Sequence, residues 1–258
     1  MRAGTVPPVR CLPVWQRGVP ILTGGVQAVP MAHHGHHDTR PDSDDPTTYW
    51  DARYGEQDAM WRFRPNAVLA TEAVRFTPGS ALDLGAGEGG DALWLADRGW
   101  TVRAVDISRV ALDRGAATAR ERGLDGMVRW EQADLTTWVP DETFDLVTSH
   151  FLHSPVALDE EAILRTATTA VAPGGHLLVV KHGEVPGGAP VHAGRVFPGP
   201  EDVVVQLELD PAAWSVDLAE RRPRDATLPD GTTVRTEDVV VLATRTASRS
   251  EDEDGESA

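Results

Sequence analysis

Five short apolar segments follow one another in this 258-residue chain, and polar or amphipathic stretches separate them. Each apolar segment has the length of a buried strand, whereas the stretches between them favour helices. Strands that are joined through helices pair in parallel by right-handed crossovers. The pattern therefore predicts an α/β fold on a mainly parallel sheet. The predicted strands cover residues 81–84, 101–105, 128–132, 144–149 and 176–180.

Helices and a final hairpin complete this prediction. Ser108 is a typical N-cap and Pro155 a typical helix start, and segments 214–220 and 234–244 flank the turn signal Pro229-Asp230-Gly231. The sheet is therefore expected to end in an antiparallel C-terminal hairpin. The predicted helices cover residues 89–98, 109–122, 155–171 and 201–209.

The two ends of the chain differ from this core in composition. Residues 1–45 are rich in Pro, Gly and His and are predicted to be a disordered leader, in which Met31 is a candidate natural start. The four histidines at positions 33, 34, 36 and 37 are interpreted as part of a flexible polar tail, with adventitious metal binding as the alternative. Residues 46–246 are expected to form the folded domain. Residues 247–258 are predicted to be an acidic disordered tail.

Charge and apolar content limit the partners and the compartment. The formal net charge is −16 and basic residues form no large cluster, so nucleic acid and anionic membranes are not expected partners. No apolar run reaches the roughly 18 residues of a membrane span. The single cysteine, Cys11, gives no internal disulfide. We therefore expect a cytoplasmic protein, and the sequence leaves its oligomeric state open.

The first predicted strand leads directly into a glycine-rich loop. Gly85, Gly87 and Gly90 have the spacing that lets a backbone turn sharply and approach an adenosine cofactor at a helix N-terminus. Asp106 ends the second strand, where a carboxylate can accept hydrogen bonds from both ribose hydroxyls. Dinucleotide enzymes share these features, so the loop alone does not identify the cofactor.

Two acidic residues at the loop narrow the choice of ligand. Asp83 lies at the end of the strand, and Glu88 lies within the loop. Both carboxylates would repel a pyrophosphate group. The loop therefore favours a cationic ligand, such as a sulfonium compound with an ammonium group.

In their order and spacing, these motifs resemble those of class I S-adenosylmethionine-dependent methyltransferases. The resemblance implies a Rossmann-like doubly wound sheet, a methyltransferase domain over residues 46–246 and S-adenosylmethionine as cofactor. Residues 50–69, with Arg64-Pro65-Asn66, are also similar to the small bacterial group of tellurite-resistance and thiopurine methyltransferases. The segments that match the class motifs are residues 83–89, 104–108, 132–135, 144–147 and 172–177.

The resemblance implies a cofactor role for each matching residue. The backbone of the loop would approach the methionine part, and Asp83 would help to hold its amino group. The loop residues so implied are Gly85, Ala86, Gly87 and Gly89.

Further residues are implied around the adenosine and over the site. Asp106 would bind the ribose, and Arg64 would pair with the cofactor carboxylate. For the two residues that cap the site, edge packing remains the alternative. The adenine residues are Ile107, Asp134 and Leu135, and the capping residues are Trp61 and Arg64.

Two histidines follow the fourth predicted strand. His150 and His153 lie at the edge that faces the cofactor in this fold, where a neutral imidazole can remove a proton from a methyl acceptor. The alternative is that His150 contacts the cofactor and His153 bonds the local backbone. A base matters for hydroxyl acceptors and far less for thiols, ring nitrogens or metalloid oxyanions.

The leading hypothesis is thus an enzyme that methylates a small molecule, with no metal site. Its acceptor can be a thiol, a hydroxyl, a ring nitrogen or a metalloid oxyanion. Two other interpretations stay open: a nucleotide-dependent oxidoreductase on the same fold, and a non-catalytic cofactor-binding regulatory domain.

Overall fold

A computed structural model of the protein describes residues 31–32, 43–56, 63–156, 158–183, 197–227 and 232–247. These residues contain one sheet of eight strands. The strands are β1 (Met31–Ala32), β2 (Ser80–Leu84), β3 (Thr101–Asp106), β4 (Val128–Gln132), β5 (Phe144–His150), β6 (Val171–His182), β7 (Trp214–Thr227) and β8 (Thr233–Arg245).

The strand order across the sheet is β1-β7-β8-β6-β5-β2-β3-β4. β8 pairs antiparallel with both β6 and β7, and the other neighbouring strands pair in parallel. The predicted mainly parallel sheet with an antiparallel C-terminal hairpin is therefore confirmed. β7 is longer than predicted and continues to Thr227, and the turn signal at 229–231 lies outside the described residues.

Helices cover both faces of this sheet. Leu164 of one helix and Val203 of another pack on one face with Leu82 and Val147, while Leu69 packs on the opposite face with Leu146. Two separate apolar cores result, as a doubly wound sheet requires. The helices are α1 (Pro46–Gly55), α2 (Ala67–Glu72), α3 (Gly90–Ala96), α4 (Arg109–Glu121), α5 (Glu160–Thr169) and α6 (Pro200–Gln206).

Local capping explains where α4 and α5 begin. The Ser108 hydroxyl accepts a hydrogen bond from the Ala111 amide at 3.2 Å, so α4 starts where the sequence predicted. The prediction that Pro155 starts the next helix is wrong. Asp159 accepts from the amide of Ala162 at 2.9 Å and caps α5 at Glu160. The helix ends before Val171, which already belongs to β6.

The predicted domain boundaries stay predictions, since most of the leader, its four histidines and the tail from residue 248 lie outside the described residues. Within the residues assigned to the leader, Met31 and Ala32 pair with Ala226 and Thr227 of β7. An edge strand offers free backbone groups that even a two-residue segment can pair with. Within the described ranges, no helix has the length and apolar character needed to cross a membrane.

Candidate active site

The loop between β2 and α3 lies at the carboxyl edge of the sheet. β2 pairs with β3 on one side and with β5 on the other, so the chain reverses its direction of travel across the sheet next to this loop. Crevices at such reversal points bind ligands in open α/β sheets. Gly85, Gly87 and Gly89 have positive φ angles of 73°, 54° and 78°, which side chains with a Cβ rarely adopt.

The loop also needs glycine because other groups approach its backbone closely. A Cβ on Gly87 would lie 2.7 Å from the hydroxyl oxygen of Tyr54, and one on Gly85 would lie 2.8 Å from Cδ1 of Leu152. Half-buried Ala86 lies between these two glycines. The loop backbone therefore packs closely between α1 and the segment that follows β5.

Asp106 ties this loop to the start of α4. Its Oδ2 accepts from the Gly87 amide and its Oδ1 from the Ser108 amide, both at 2.8 Å. The carboxylate is buried, and this burial raises its pKa. Each carboxylate oxygen retains a second lone pair, so the group can still accept from ligand hydroxyls.

Asp83 is a buried carboxylate that is only partly satisfied. Its Oδ1 accepts from the Thr148 hydroxyl at 2.8 Å, while Oδ2 has no hydrogen-bond partner among the described residues. Burial, with the nearby charge of Asp91, raises the pKa of Asp83 from 3.8 to about 7. A buried carboxylate without a partner is unfavourable unless a cation or a donor joins it. The site therefore fits a ligand with an ammonium group.

His150 and Asp91 form a second pair beside Asp83. His150 Nδ1 lies 2.7 Å from Asp91 Oδ2. The other oxygen of Asp91 accepts a hydrogen bond from the backbone amide of Asn66 at 2.5 Å. Nε2 of His150 is buried and has no partner in the described part of the chain. Asp83, Asp91 and His150 each place a ligand atom within 4.8 Å of the others, so the Asp91–His150 pair lies directly beside the Asp83 carboxylate.

The other predicted cofactor residues differ in how deeply they are buried. Ile107 is half-buried beside Asp106, and Leu135 is buried in the core. Asp134 is exposed, and its Oδ1 accepts from the amide and hydroxyl of Thr136 at 2.9 and 2.7 Å. Arg64 is exposed, although its backbone packs against Gly90.

Of the remaining candidates, Trp61 lies outside the described residues. His153 Nδ1 bonds the Phe151 carbonyl oxygen at 2.8 Å, and its ring meets the His182 ring edge-on at 5.4 Å. The structure thus joins His150 to Asp91 by a hydrogen bond, and His153 to the carbonyl oxygen of Phe151.

Sequence reasoning missed the part that α1 plays in the site. Asp51 accepts from the Ser108 hydroxyl at 2.7 Å and from the Val110 amide at 3.2 Å, and Arg114 joins the Tyr54 carbonyl to Glu88 at 2.8 and 3.1 Å. These bonds hold α1 over the glycine loop. Asp45 followed by Pro46 was the available signal, because this pair is typical of a helix start.

Residues 81–175 match a family model described as a methyltransferase domain. Two curated relatives match over a similar length, 102 and 112 residues. One is a sarcosine/dimethylglycine N-methyltransferase from Halorhodospira halochloris, 38% identical over 38% of this chain and 35% of the relative. The other is a ribosomal RNA small subunit methyltransferase C from Alcanivorax borkumensis, 30% identical over 42% of this chain and 34% of the relative. The match thus spans about a third of either relative.

The fold itself is similar to a solved methyltransferase structure. The N-methyltransferase NodS from Bradyrhizobium japonicum, in complex with S-adenosyl-L-homocysteine, has a TM-score of 0.58 and 18% identity. The match covers 79% of this chain and 100% of that one. At this identity the likeness supports the fold, and the Rossmann-like sheet is confirmed.

Proposed function

We infer that this chain, which carries a class I S-adenosylmethionine-dependent methyltransferase domain, is an enzyme that methylates a small molecule. The observation that supports this most directly is the buried Asp83 carboxylate, whose Oδ2 lacks a partner among the described residues. It favours a cofactor with a cationic amino-acid end over one with a pyrophosphate. When bound, S-adenosylmethionine supplies a methyl group on a positively charged sulfur.

In this proposal the residues that would hold the cofactor lie along the carboxyl edge of the sheet. Asp83 binds the amino group, the backbone of the glycine loop follows the methionine part, and Asp106 accepts from the ribose. Arg64 and Trp61 cap the methionine end. The adenine lies against Ile107, Asp134 and the Leu135 amide.

The acceptor proposed is a small molecule in the cytoplasm rather than a nucleic acid. The net charge of −16 and the scarcity of clustered basic residues support this, because a phosphate backbone needs positive charge to bind. The two curated relatives are named for different acceptors, a small amine and a ribosomal RNA, so their names do not fix the acceptor class.

A thermal shift assay tests the cofactor. A ligand that binds only the native state raises the melting temperature. S-adenosyl-L-homocysteine should therefore raise the melting temperature of the full chain, and NADH should leave it unchanged. The reverse result would support the oxidoreductase interpretation and contradict this proposal.

Asp106→Ala should weaken the binding of S-adenosyl-L-homocysteine by about 1 to 3 kcal/mol, the scale of lost hydrogen bonds to a charged group. Isothermal calorimetry measures this loss. Asp113→Ala is the control, because Asp113 is an exposed carboxylate on α4 that pairs only with Arg109 in the described structure. Equal affinities of wild type and Asp106→Ala would remove the ribose role.

A further inference from the structure

We propose that Asp91 orients His150 as the general base of the reaction, and that the methyl acceptor is accordingly an alcohol or a phenol. This inference rests on the proposed function, and it narrows the acceptor to one chemical class. The inference is based on two hydrogen bonds of Asp91, one from the backbone amide of Asn66 and one with His150.

The contacts decide which nitrogen of His150 carries the proton. A carboxylate only accepts hydrogen bonds, so the nitrogen that faces Asp91 Oδ2 at 2.7 Å has to donate. Nδ1 is therefore protonated in the neutral imidazole, and Nε2 keeps its lone pair. Asp91 is itself fixed, because its Oδ1 accepts from the Asn66 amide. The pair thus has the arrangement of a base with an orienting carboxylate.

The position of His150 places this lone pair at the cofactor site. Asp83 pairs in register with Thr148, and His150 follows two residues later, so its side chain points to the same face of the sheet. Only 4% of the His150 side chain is exposed, and Nε2 has no protein partner among the described residues. Bulk water therefore does not compete for the lone pair, and in the proposed reaction the hydroxyl group of the acceptor donates its hydrogen bond to it.

The chemistry of acceptors explains why such a base points to hydroxyl groups. Thiols lose a proton near neutral pH, with a pKa of about 8.5, whereas a phenol has a pKa of about 10. In the proposed step the acceptor oxygen bonds to the methyl carbon as the carbon–sulfur bond breaks. The sulfur keeps the electron pair of that bond, and the hydroxyl proton moves to Nε2. A preset base is of little use to a thiolate, to a ring nitrogen that already has a free lone pair, or to a metalloid oxyanion.

Nitrogen-15 NMR of the full chain, with and without S-adenosyl-L-homocysteine, tests the orientation without any acceptor. The His150→Gln variant lacks the imidazole ring, so the ring-nitrogen signals that disappear from its spectrum belong to His150. We expect wild-type His150 to be protonated at Nδ1, and Asp91→Asn to populate the Nε2-protonated form. The control is Asp97→Asn, at the exposed end of α3, the helix that carries Asp91. This variant should leave the His150 signal unchanged. A neutral wild-type His150 that carries its proton on Nε2 instead of Nδ1 would overturn the inference.

Matched phenols and thiophenols then test the acceptor class, with S-adenosyl-L-homocysteine formation as the readout. Asp91→Asn should lower kcat for phenols by about 10- to 100-fold, while changing KM, cofactor affinity and thiophenol turnover less than about threefold. Equal losses of kcat for phenols and thiophenols would overturn the assignment of His150 as the general base. A matching loss of cofactor affinity would instead assign His150 to cofactor binding, which also overturns it.

Two outcomes separate this inference from the proposed function. Binding of S-adenosyl-L-homocysteine without methylation of any alcohol or phenol, or with methylation of thiols alone, would contradict the inference and leave the cofactor proposal intact. Failure of S-adenosyl-L-homocysteine to bind at all would contradict the proposed function, whatever the NMR spectrum of His150 shows.

Discussion

Asp83→Asn should lower the affinity for S-adenosyl-L-homocysteine by at least about tenfold and make the ligand-free protein more stable at pH 8. Both effects have one cause. The Asp83 carboxylate is buried, and only one of its oxygens has a partner in the described structure. An amide keeps a hydrogen bond to Thr148 without a buried charge, but it no longer attracts the ammonium group of the ligand. Sites that bind charge commonly reduce stability in this way.

The pH dependence of this effect has a defined sign. Burial raises the pKa of Asp83 to about 7 in the folded protein, from an ordinary value of 3.8. The folded state therefore binds more protons than the unfolded state between these two values, and the stability contributed by this group falls as the pH rises from about 4 to 7. Asp83→Asn removes this loss and should raise the free energy of unfolding at pH 8 by roughly 1 to 3 kcal/mol.

Denaturant unfolding at pH 5 and pH 8, together with calorimetry, measures both effects. The wild type should bind S-adenosyl-L-homocysteine more weakly below pH 7, because protonation of Asp83 removes the charge that the ligand needs. Asp97→Asn is the control for a change of one negative charge at the exposed end of α3. An Asp83→Asn variant that binds as well as the wild type, or that is less stable at pH 8, would contradict the assignment.

The sequence predicted those parts of the fold and site that depend on local pattern. The five parallel strands and the glycine loop follow from apolar runs and from glycine spacing, which are properties of neighbouring residues. Asp83 and Asp106 were predicted as site residues for the same reason, since each lies at the end of a predicted strand beside that loop. Their burial and hydrogen bonds then agree with the cation and hydroxyl roles that we propose.

Contacts between distant residues could not be predicted in the same way. Asp91 and His150 are 59 residues apart, and only the pairing of β2 with β5 brings the second close to the first. The link from Asp51 to Ser108 crosses 57 residues and depends on how α1 docks. The start of α5 was misplaced because the cap at Asp159 competes with Pro155, and both residues are plausible helix starts in isolation.

Gly87→Val should abolish measurable binding of S-adenosyl-L-homocysteine, a loss of at least about 100-fold, because two separate constraints meet at this residue. Its φ angle of 54° is strained for any β-branched residue, at a cost of roughly 1 to 3 kcal/mol. A Cβ there would also lie 2.7 Å from the Tyr54 hydroxyl oxygen. The loop would have to move, and its amide would then leave Asp106 Oδ2.

Gly123→Val separates these two constraints. Gly123 also has a positive φ, of 70°, yet a Cβ there meets nothing within 4 Å. It lies just beyond α4, away from the glycine loop. This variant should therefore lose stability through backbone strain alone and bind S-adenosyl-L-homocysteine as the wild type does. Calorimetry on variants shown to be folded by circular dichroism decides the point. If a folded Gly87→Val variant retains its affinity, the cofactor does not lie against this loop.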